Sequence, residues 1–540
     1  MSTESSNGLG RERAIILGGL MLGMLLGSID QSIVSTALPR IVGDLGDASK
    51  MSWIVTAYLV TVTVTTPLYG KLSDIYGRSL IFETSISIFL IGSILSGLAG
   101  EFAAINDVVG PMTQLAAFRA LQGIGAGGLI AMATTILGDI FSPRERGKYM
   151  SYMMLIFGGA TVGGPLLGGY LTDHYSWRWI FYINVPIGLA AILITHFKLD
   201  LPTPDATDLD IDYLGAALLV VAVGSLMLAT TWGGSEYAWD SVQILGLIAS
   251  TIVFGVLFVL QELRVDEPVF PVHLLDRHTV VGVMTLSFCL GIGMFGATIY
   301  LPVFLQDVLG ASATNSGLLL FPLVGGMLVT SGATGQLMTR FGRYKVFAVV
   351  GTLVASVGYW FLHTMGPSTT STESTIFMIV TGMGLGFVMP VLTVAVQNAV
   401  DREDLGVATT SVTFSRSLGS GIGVAVLGAL LNNQLTNRLS DAFAGQAGSG
   451  QLTSDAASIG PEAIEKLPDQ IQHVVVTAMA NSIDTVFLAG MGVLILAFVV
   501  SLTLPNAELS EEAHVSMGEG GAEPMDGAMS SDDSTASSDD

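Results

Sequence analysis

Three ionisable side chains, Asp30, Arg119 and Arg416, lie deep inside long apolar stretches of this sequence. Charged groups at such positions are costly in a bilayer and usually serve a substrate, ion or proton pathway. At a rise of about 1.5 Å per residue, Asp30 lies roughly 11 Å and Arg119 roughly 9 Å below the predicted outer ends of their helices. The two side chains are therefore predicted to form an ion pair whose carboxylate can exchange a proton. A static structural pair is the alternative.

The third deep charge, Arg416, lies roughly 15 Å from the N-terminal end of its predicted helix. We treat it as a candidate cavity charge, which would attract an anion or pair with an acid elsewhere in the chain. An arginine that only turns toward backbone carbonyls is the alternative. Near Asp30, Gly23 and Gly27 share its helical face, so that a neighbouring helix or a ligand could approach closely there.

The apolar stretches that carry these residues are long enough to cross a bilayer, which takes about 20 residues. Apolar residues make up 51% of the chain and charged residues only 12%, which disfavours buried helices of a large soluble protein. We therefore predict an all-α polytopic membrane protein with fourteen spans, at 14–37, 52–70, 79–99, 113–138, 148–171, 179–198, 213–231, 243–262, 279–304, 316–338, 346–365, 375–398, 406–431 and 484–504.

Composition also excludes several functions for this chain of 540 residues. Its net charge of −23 argues against binding to nucleic acid, which needs a basic surface. The only cysteine is Cys289, so no internal disulfide can form. No P-loop, nucleophile elbow or metal-ligand spacing is present. We accordingly expect no catalytic residue, no metal and no cofactor, and we do not expect an enzyme.

The basic residues predict an orientation in the cell membrane. Of the 21 Lys and Arg residues, fourteen fall on the side of the N-terminus, five on the other side, and two within spans. Both termini are therefore predicted to be cytoplasmic, and the first span is interpreted as an uncleaved helix.

An internal repeat predicts two related halves. Residues 70–78 and 335–343 both read G-x-L-x-x-x-aromatic-G-R, and Arg144-Glu-Arg-Gly147 has an echo at 402–406. We predict a cytoplasmic tail at 1–13, six-helix halves at 14–198 and 279–505, an acidic connector with two inserted central helices at 199–278, an outer loop at 432–482, and a disordered acidic cytoplasmic tail at 506–540. Duplicated halves are typical of alternating-access carriers.

The first repeat carries charges that its copy lacks. Asp74 and Arg78 lie at the predicted cytoplasmic edge, and Asp139 ends the fourth span on the same side, whereas the copy has Thr339 in place of Asp74. We predict that Asp74, Arg78 and Asp139 form a latch that holds helices together in one state. A loop whose charges only fix topology is the alternative.

The fifth span carries a block of small residues that permits tight helix contact. The block contains a proline that favours a bend, and we predict that it seals one gate between the halves. Its members are Gly159, Gly163, Gly164, Pro165, Gly168 and Gly169.

Together these motifs resemble the major facilitator superfamily, in particular its fourteen-helix drug:proton antiporters. Residues 70–78 are similar to the first signature of that superfamily, and 163–169 to the helix-5 antiporter signature. Further resemblances lie at Ile29 to Pro39, at Arg119 to Gly125 with Gln122 and Gly123, and at Trp177 to Gly188.

The resemblance implies a proton-coupled exporter of hydrophobic or cationic small molecules, of the multidrug efflux type. It also implies that Asp30 is a proton or cation site and Arg119 its coupling partner. The expected partners are a small-molecule substrate, a coupling proton and the lipid bilayer, with a monomeric chain. Two alternatives stay open: coupled uptake or export of a specific metabolite on the same fold, and a membrane sensor or scaffold that transports nothing.

Overall fold

The computed structural model describes residues 2–46, 50–102, 106, 108–199, 201, 212–234, 237–265, 268, 270, 272–310, 320–443 and 468–509. Up to the middle of the chain the long helices are α1 (Ser2–Leu45), α2 (Met51–Tyr76), α3 (Arg78–Gly97), α4 (Pro111–Ile140), α5 (Pro143–His174), α6 (Asn184–Lys198, after a single turn at Trp179–Tyr182) and α7 (Tyr213–Trp232). The others are α8 (Val242–Glu262), α9 (His278–Val303), α10 (Phe321–Phe341), α11 (Lys345–His363), α12 (Ser371–Gln397), α13 (Leu405–Ala442) and α14 (Asp469–Thr503).

These helices confirm the predicted all-α membrane fold. Each predicted span coincides with one of them, and within the described ranges 13 are long and apolar enough to cross a bilayer by length and composition. The remaining helix, α10, has 21 residues, which corresponds to about 32 Å. The first residues of its predicted span, 316–319, lie outside the described residues.

Helices extend from both sides into the segment 432–482, for which we predict an outer loop. Helix α13 continues to Ala442, and α14 already begins at Asp469. Hydropathy falls where Asn432, Asn433 and Gln434 begin, but the backbone hydrogen bonds of a helix do not depend on apolar side chains. Residues 444–467 of that loop lie outside the described residues, as do 200 and 202–211 of the connector and 510–540 of the tail.

Equivalent glycines allow close packing in both halves. Gly125 lies against the backbone of α3, and Gly384 lies against α11 in the same way. Gly127 meets α2, and Gly386 meets α10. A Cβ atom at any of the four would overlap a neighbour, so these positions let the helix axes approach closely. The match between the four crossings gives structural support to the internal repeat.

The second glycine of each repeat motif turns the chain between two helices. Gly77 separates α2 from α3 with φ +90°, and Gly342 ends α10 with φ +66°. Residues with a Cβ rarely adopt these positive φ values. The motif therefore needs glycine at this position for a conformational reason.

The two halves meet at the end of the bundle that carries 70–78, 139–147, 335–345 and 401–407, which we call the basic end. Gly70 faces Gly406 and Thr410, and Gly335 faces Gly147. The first repeat, 70–78, thus contacts the second half at 402–406 and the residues that follow. The second repeat, 335–343, contacts the first half at 144–147.

Hydrogen bonds reinforce this contact between the halves. Gln397 Nε2 donates to the Thr134 carbonyl at 3.0 Å, and Ser151 Oγ donates to the Ser331 carbonyl at 2.9 Å. These bonds close the interface near the basic end.

The inserted helices α7 and α8 lie to one side of this arrangement. Val223 and Met227 of α7 pack against Val64 of α2, with Phe414 and Leu418 of α13 beside them. Helix α8 is joined to α7 by a hydrogen bond of 2.8 Å between the hydroxyls of Ser225 and Ser250. Helix α7 therefore covers the line along which α2 and α13 meet.

Candidate functional site: a buried ion pair and a central cavity

The structure brings Asp30 and Arg119 into direct contact. Arg119 Nη1 donates to Asp30 Oδ2 at 2.6 Å, and the Arg119 and Asp30 side chains are 2% and 0% exposed. Gln122 completes a ring, because its Nε2 donates to Asp30 Oδ1 at 2.8 Å and its Oε1 accepts from Arg119 Nη1 at 2.7 Å. Arg119 and Gln122 lie one helical turn apart on α4, so both reach the same carboxylate of α1.

Residues of α2, α3 and α6 surround this ring and hold it in place. Asn184 Nδ2, at the start of α6, donates to Asp30 Oδ1 at 3.3 Å and to Ser93 Oγ at 3.0 Å. On the opposite side, the guanidinium carbon of Arg119 lies 4.1 Å from the centre of the Tyr58 ring.

The carboxylate of Asp30 joins three helices of the first half. Its oxygens, on α1, accept hydrogen bonds from Arg119 and Gln122 of α4 and from Asn184 of α6. Loss of the negative charge on Asp30 would remove the ionic part of its contact with Arg119 and weaken this link between α1 and α4.

The predicted latch residues are also in contact, at the basic end. Arg78 donates from Nη1 to Asp74 and from Nε to Asp139 Oδ2, the latter at 3.0 Å. Asp74 in turn accepts from the backbone N–H of Val407 at 3.2 Å. Since Val407 lies in the first turn of α13, the carboxylate satisfies a helix N-terminus of the other half.

Only the first repeat makes this charged contact. In the second repeat, Thr339 Oγ1 donates to the Gly335 carbonyl of its own helix at 2.9 Å. The position equivalent to Asp74 thus carries no charge.

The glycine block of α5 is placed differently from our prediction. Gly164 and Gly168 face Ser32, Ile33 and Thr36 of α1, within the same half. At Gly159, Gly163 and Gly169, an added Cβ atom would have no neighbouring atom within 4 Å. The contact with α10 is made instead by an earlier part of the helix, including Gly147 and Gly158. Helix α5 runs unbroken through Pro165.

A cavity of about 410 Å³ lies between the halves. This volume falls within the usual range for sites that bind small molecules. Both halves line it, with Gln31, Thr63 and Phe157 from the first and Phe295 and Thr393 from the second. Gln31 directly follows Asp30, so the buried ring and the cavity lie on neighbouring faces of α1.

Arg416, the candidate cavity charge, reaches this cavity. It is one of the lining residues, and its Nη1 lies 3.8 Å from the sulfur of Met389. The alternative partner, an acid elsewhere in the chain, does not form an ion pair with it among the described residues.

Sequence reasoning missed two contributions to the site. Asn184 was noted only as part of a motif, although its position directly after the Trp179–Tyr182 turn fixes it beside Asp30. The other is helix α7, from which Met227, Thr230 and Thr231 line the cavity. No sequence signal places an inserted helix against a particular pair of neighbours.

The comparisons with known proteins agree with this geometry. Residues 20–424 match the family model of the Major Facilitator Superfamily. The chain is 36% identical over 530 residues to Multidrug transporter protein MdtP of Bacillus subtilis, covering 94% of this chain and 96% of that protein. It is also 36% identical over 506 residues to Multidrug resistance protein 3 of Bacillus subtilis, covering 92% and 96% of the two chains.

A solved structure shares the fold. The proton:xylose symporter XylE, bound to 6-bromo-6-deoxy-D-glucose, superposes with a TM-score of 0.59 at 15% identity, over 92% of this chain and 96% of that one. Two halves around a central cavity define a multi-pass membrane transporter and not an enzyme. The chain belongs to the Major Facilitator Superfamily.

Proposed function

We propose that this protein exports hydrophobic small molecules from the cell in exchange for protons. The observation that carries the proposal is the buried ring of Asp30, Arg119 and Gln122 beside a cavity shared by both halves. The names of the two Bacillus subtilis relatives supply the link to multidrug transport.

The proposed cycle couples the ring to movement of the halves. A proton from outside binds Asp30 and releases Arg119, which weakens the contact between α1 and α4. The halves then rock, the basic end opens, and a substrate enters from the cytoplasm or the inner leaflet. Release of the proton to the cytoplasm restores the ion pair and closes the basic end around the loaded cavity.

The proposal places both termini in the cytoplasm and the chain in the cell membrane. The basic end holds the start of α1 and also residue Glu508, whose carboxylate lies 3.2 Å from Arg343. An excess of Lys and Arg is typical of the cytoplasmic side. In this orientation the contacts of Gly70, Gly335 and Asp74 close the cytoplasmic side, and the described state is the one that releases substrate outward.

The test is Asp30→Asn in inverted membrane vesicles energised by a proton gradient. We expect proton-driven accumulation of hydrophobic dyes to fall at least about tenfold, since an amide cannot exchange the proton. Asp44→Asn is the matched control, because Asp44 lies on the same helix but accepts from Trp177 Nε1 instead. A full rate in the Asp30 variant at normal expression would remove Asp30 from the coupling mechanism.

Direction is tested separately in the same preparation. Accumulation in inverted vesicles, without accumulation in right-side-out vesicles, is expected of an exporter. The opposite pattern would indicate uptake, which the fold alone allows, since XylE is a symporter.

A further inference from the structure

The lining of the cavity carries charge of one sign only among the described residues. Among the described residues that line it, Arg416 is the only charged side chain, and no carboxylate accompanies it. The other polar groups are hydroxyls and the amide of Gln31. A bound molecule would therefore meet one positive charge and no negative one.

The two deep arginines have opposite surroundings. Arg119 lies 2.6 Å from a carboxylate and is closed off from solvent. Arg416 lies beside the thioether of Met389, a weak acceptor, and no carboxylate forms an ion pair with it in the described part of the chain. An unpaired guanidinium in a low-dielectric site is costly unless an anion compensates for it.

The remainder of the lining suits an apolar body of variable shape. Methionine is flexible and polarisable, and it adapts to differently shaped partners. Six methionines from both halves and from the inserted α7 surround the cavity, at positions 24, 150, 153, 227, 294 and 389.

We propose that Arg416 binds the acidic group of the transported molecule, so that this cavity selects small apolar compounds that carry one carboxylate or sulfonate. That the bound molecule is transported rests on the proposed function. The binding preference itself does not depend on proton coupling. It replaces the expectation of cationic substrates, for which the described lining offers no countercharge. A planar guanidinium can bind a carboxylate or a sulfonate through two parallel hydrogen bonds.

Binding of three probes with the same aromatic body tests the proposal. Dansylglycine is anionic, dansylamide is neutral and dansylcadaverine is cationic, and each becomes brighter in an apolar site. With the purified full-length protein, we expect dansylglycine to bind about ten- to a hundredfold more tightly than dansylamide, the range that a charge-assisted hydrogen bond gives. Dansylcadaverine should bind most weakly.

Arg416→Gln should abolish the preference for dansylglycine and leave the affinity for dansylamide within about twofold. Arg340→Gln is the matched control, since Arg340 lies in the last turn of α10, away from the cavity lining, and it should retain the preference. Ser420→Asp tests the same idea with Arg416 in place. Residue 420 lies one turn further along α13, so an acid there would neutralise the cavity and should also abolish the preference.

Equal affinities of the three probes for the wild-type protein, or tightest binding of dansylcadaverine, would overturn the inference. An unchanged preference in both Arg416→Gln and Ser420→Asp would do the same. A preference for the anion that depends on Arg416, in a protein that fails the proton-driven dye test, would support this inference and refute the proposed function.

Discussion

Replacing both members of the buried ion pair should be less harmful than replacing either one. Arg119→Gln leaves the Asp30 carboxylate without a countercharge, and Asp30→Asn leaves the Arg119 guanidinium beside Gln122 and Tyr58. Breaking a buried pair in this way costs about 3–5 kcal/mol of folding free energy. Independent effects would therefore sum to about 6–10 kcal/mol in the double variant.

We expect much less, because two neutral amides leave no uncompensated charge in the ring. Exchanging both partners of a buried pair for neutral groups is often close to neutral. Loss of the guanidinium above the Tyr58 ring should add about 1 kcal/mol. The double variant should therefore lie about 1–2 kcal/mol below the wild type, with a coupling energy of at least about 4 kcal/mol.

Unfolding by sodium dodecyl sulfate in mixed micelles gives the four free energies of this cycle, with tryptophan fluorescence as the signal. The double variant also separates stability from mechanism, since it should fold well and still lack proton-driven transport. Additive effects of the two substitutions would refute the reasoning, because they would mean that the charges do not compensate each other.

Two further predictions concern glycines. Gly164→Ala should lower the thermal midpoint and reduce the transport rate severalfold, because its Cβ would overlap Ser32. The neighbouring Gly163→Ala should be tolerated, since an added Cβ there has no neighbour within 4 Å. Equal expression, thermal midpoint and transport of the two variants would contradict the packing described here. Gly406→Val should prevent closure of the basic end, because a Cβ at this position lies 2.8 Å from Arg78 Nη1 and would also meet the carboxylate of Asp74. Cysteines placed in the cavity of that variant, with Cys289 replaced by Ser, should react faster with a thiol reagent supplied from the cytoplasmic side; an unchanged rate would argue against a closing role for this contact.

Much of the fold could be predicted because hydropathy and helix length act locally. The ends of α7 and α8 coincide with the predicted spans within one residue. Pairing of Asp30 with Arg119 followed from their similar depth, since a low-dielectric region leaves a deep charge few alternatives to an opposite one. The polar ends of α13 and α14 could not be predicted in this way, because helical hydrogen bonds continue where hydropathy stops.

Contacts between helices that are distant in sequence were harder to predict. Small residues permit close approach, but they do not specify the partner, and Gly164 and Gly168 consequently face α1 rather than the other half. Asn184 is buried because it follows the single helical turn Trp179–Tyr182. Neither its residue type nor its spacing from other polar residues indicates that burial. The repeat, by contrast, carried information about partners, since Gly70 and Gly335 make equivalent contacts.

The inserted helix pair makes the two flanks of the protein unequal toward the lipid. Along the α2–α13 seam, α7 and then α8 stand between the cavity and the hydrocarbon, with Trp53 and Trp232 in ring contact at 4.7 Å. The α5–α10 seam has no such cover among the described helices. An apolar molecule that partitions into the bilayer would therefore meet the contact between the two halves directly only along α5 and α10, because α7 and α8 shield the other seam.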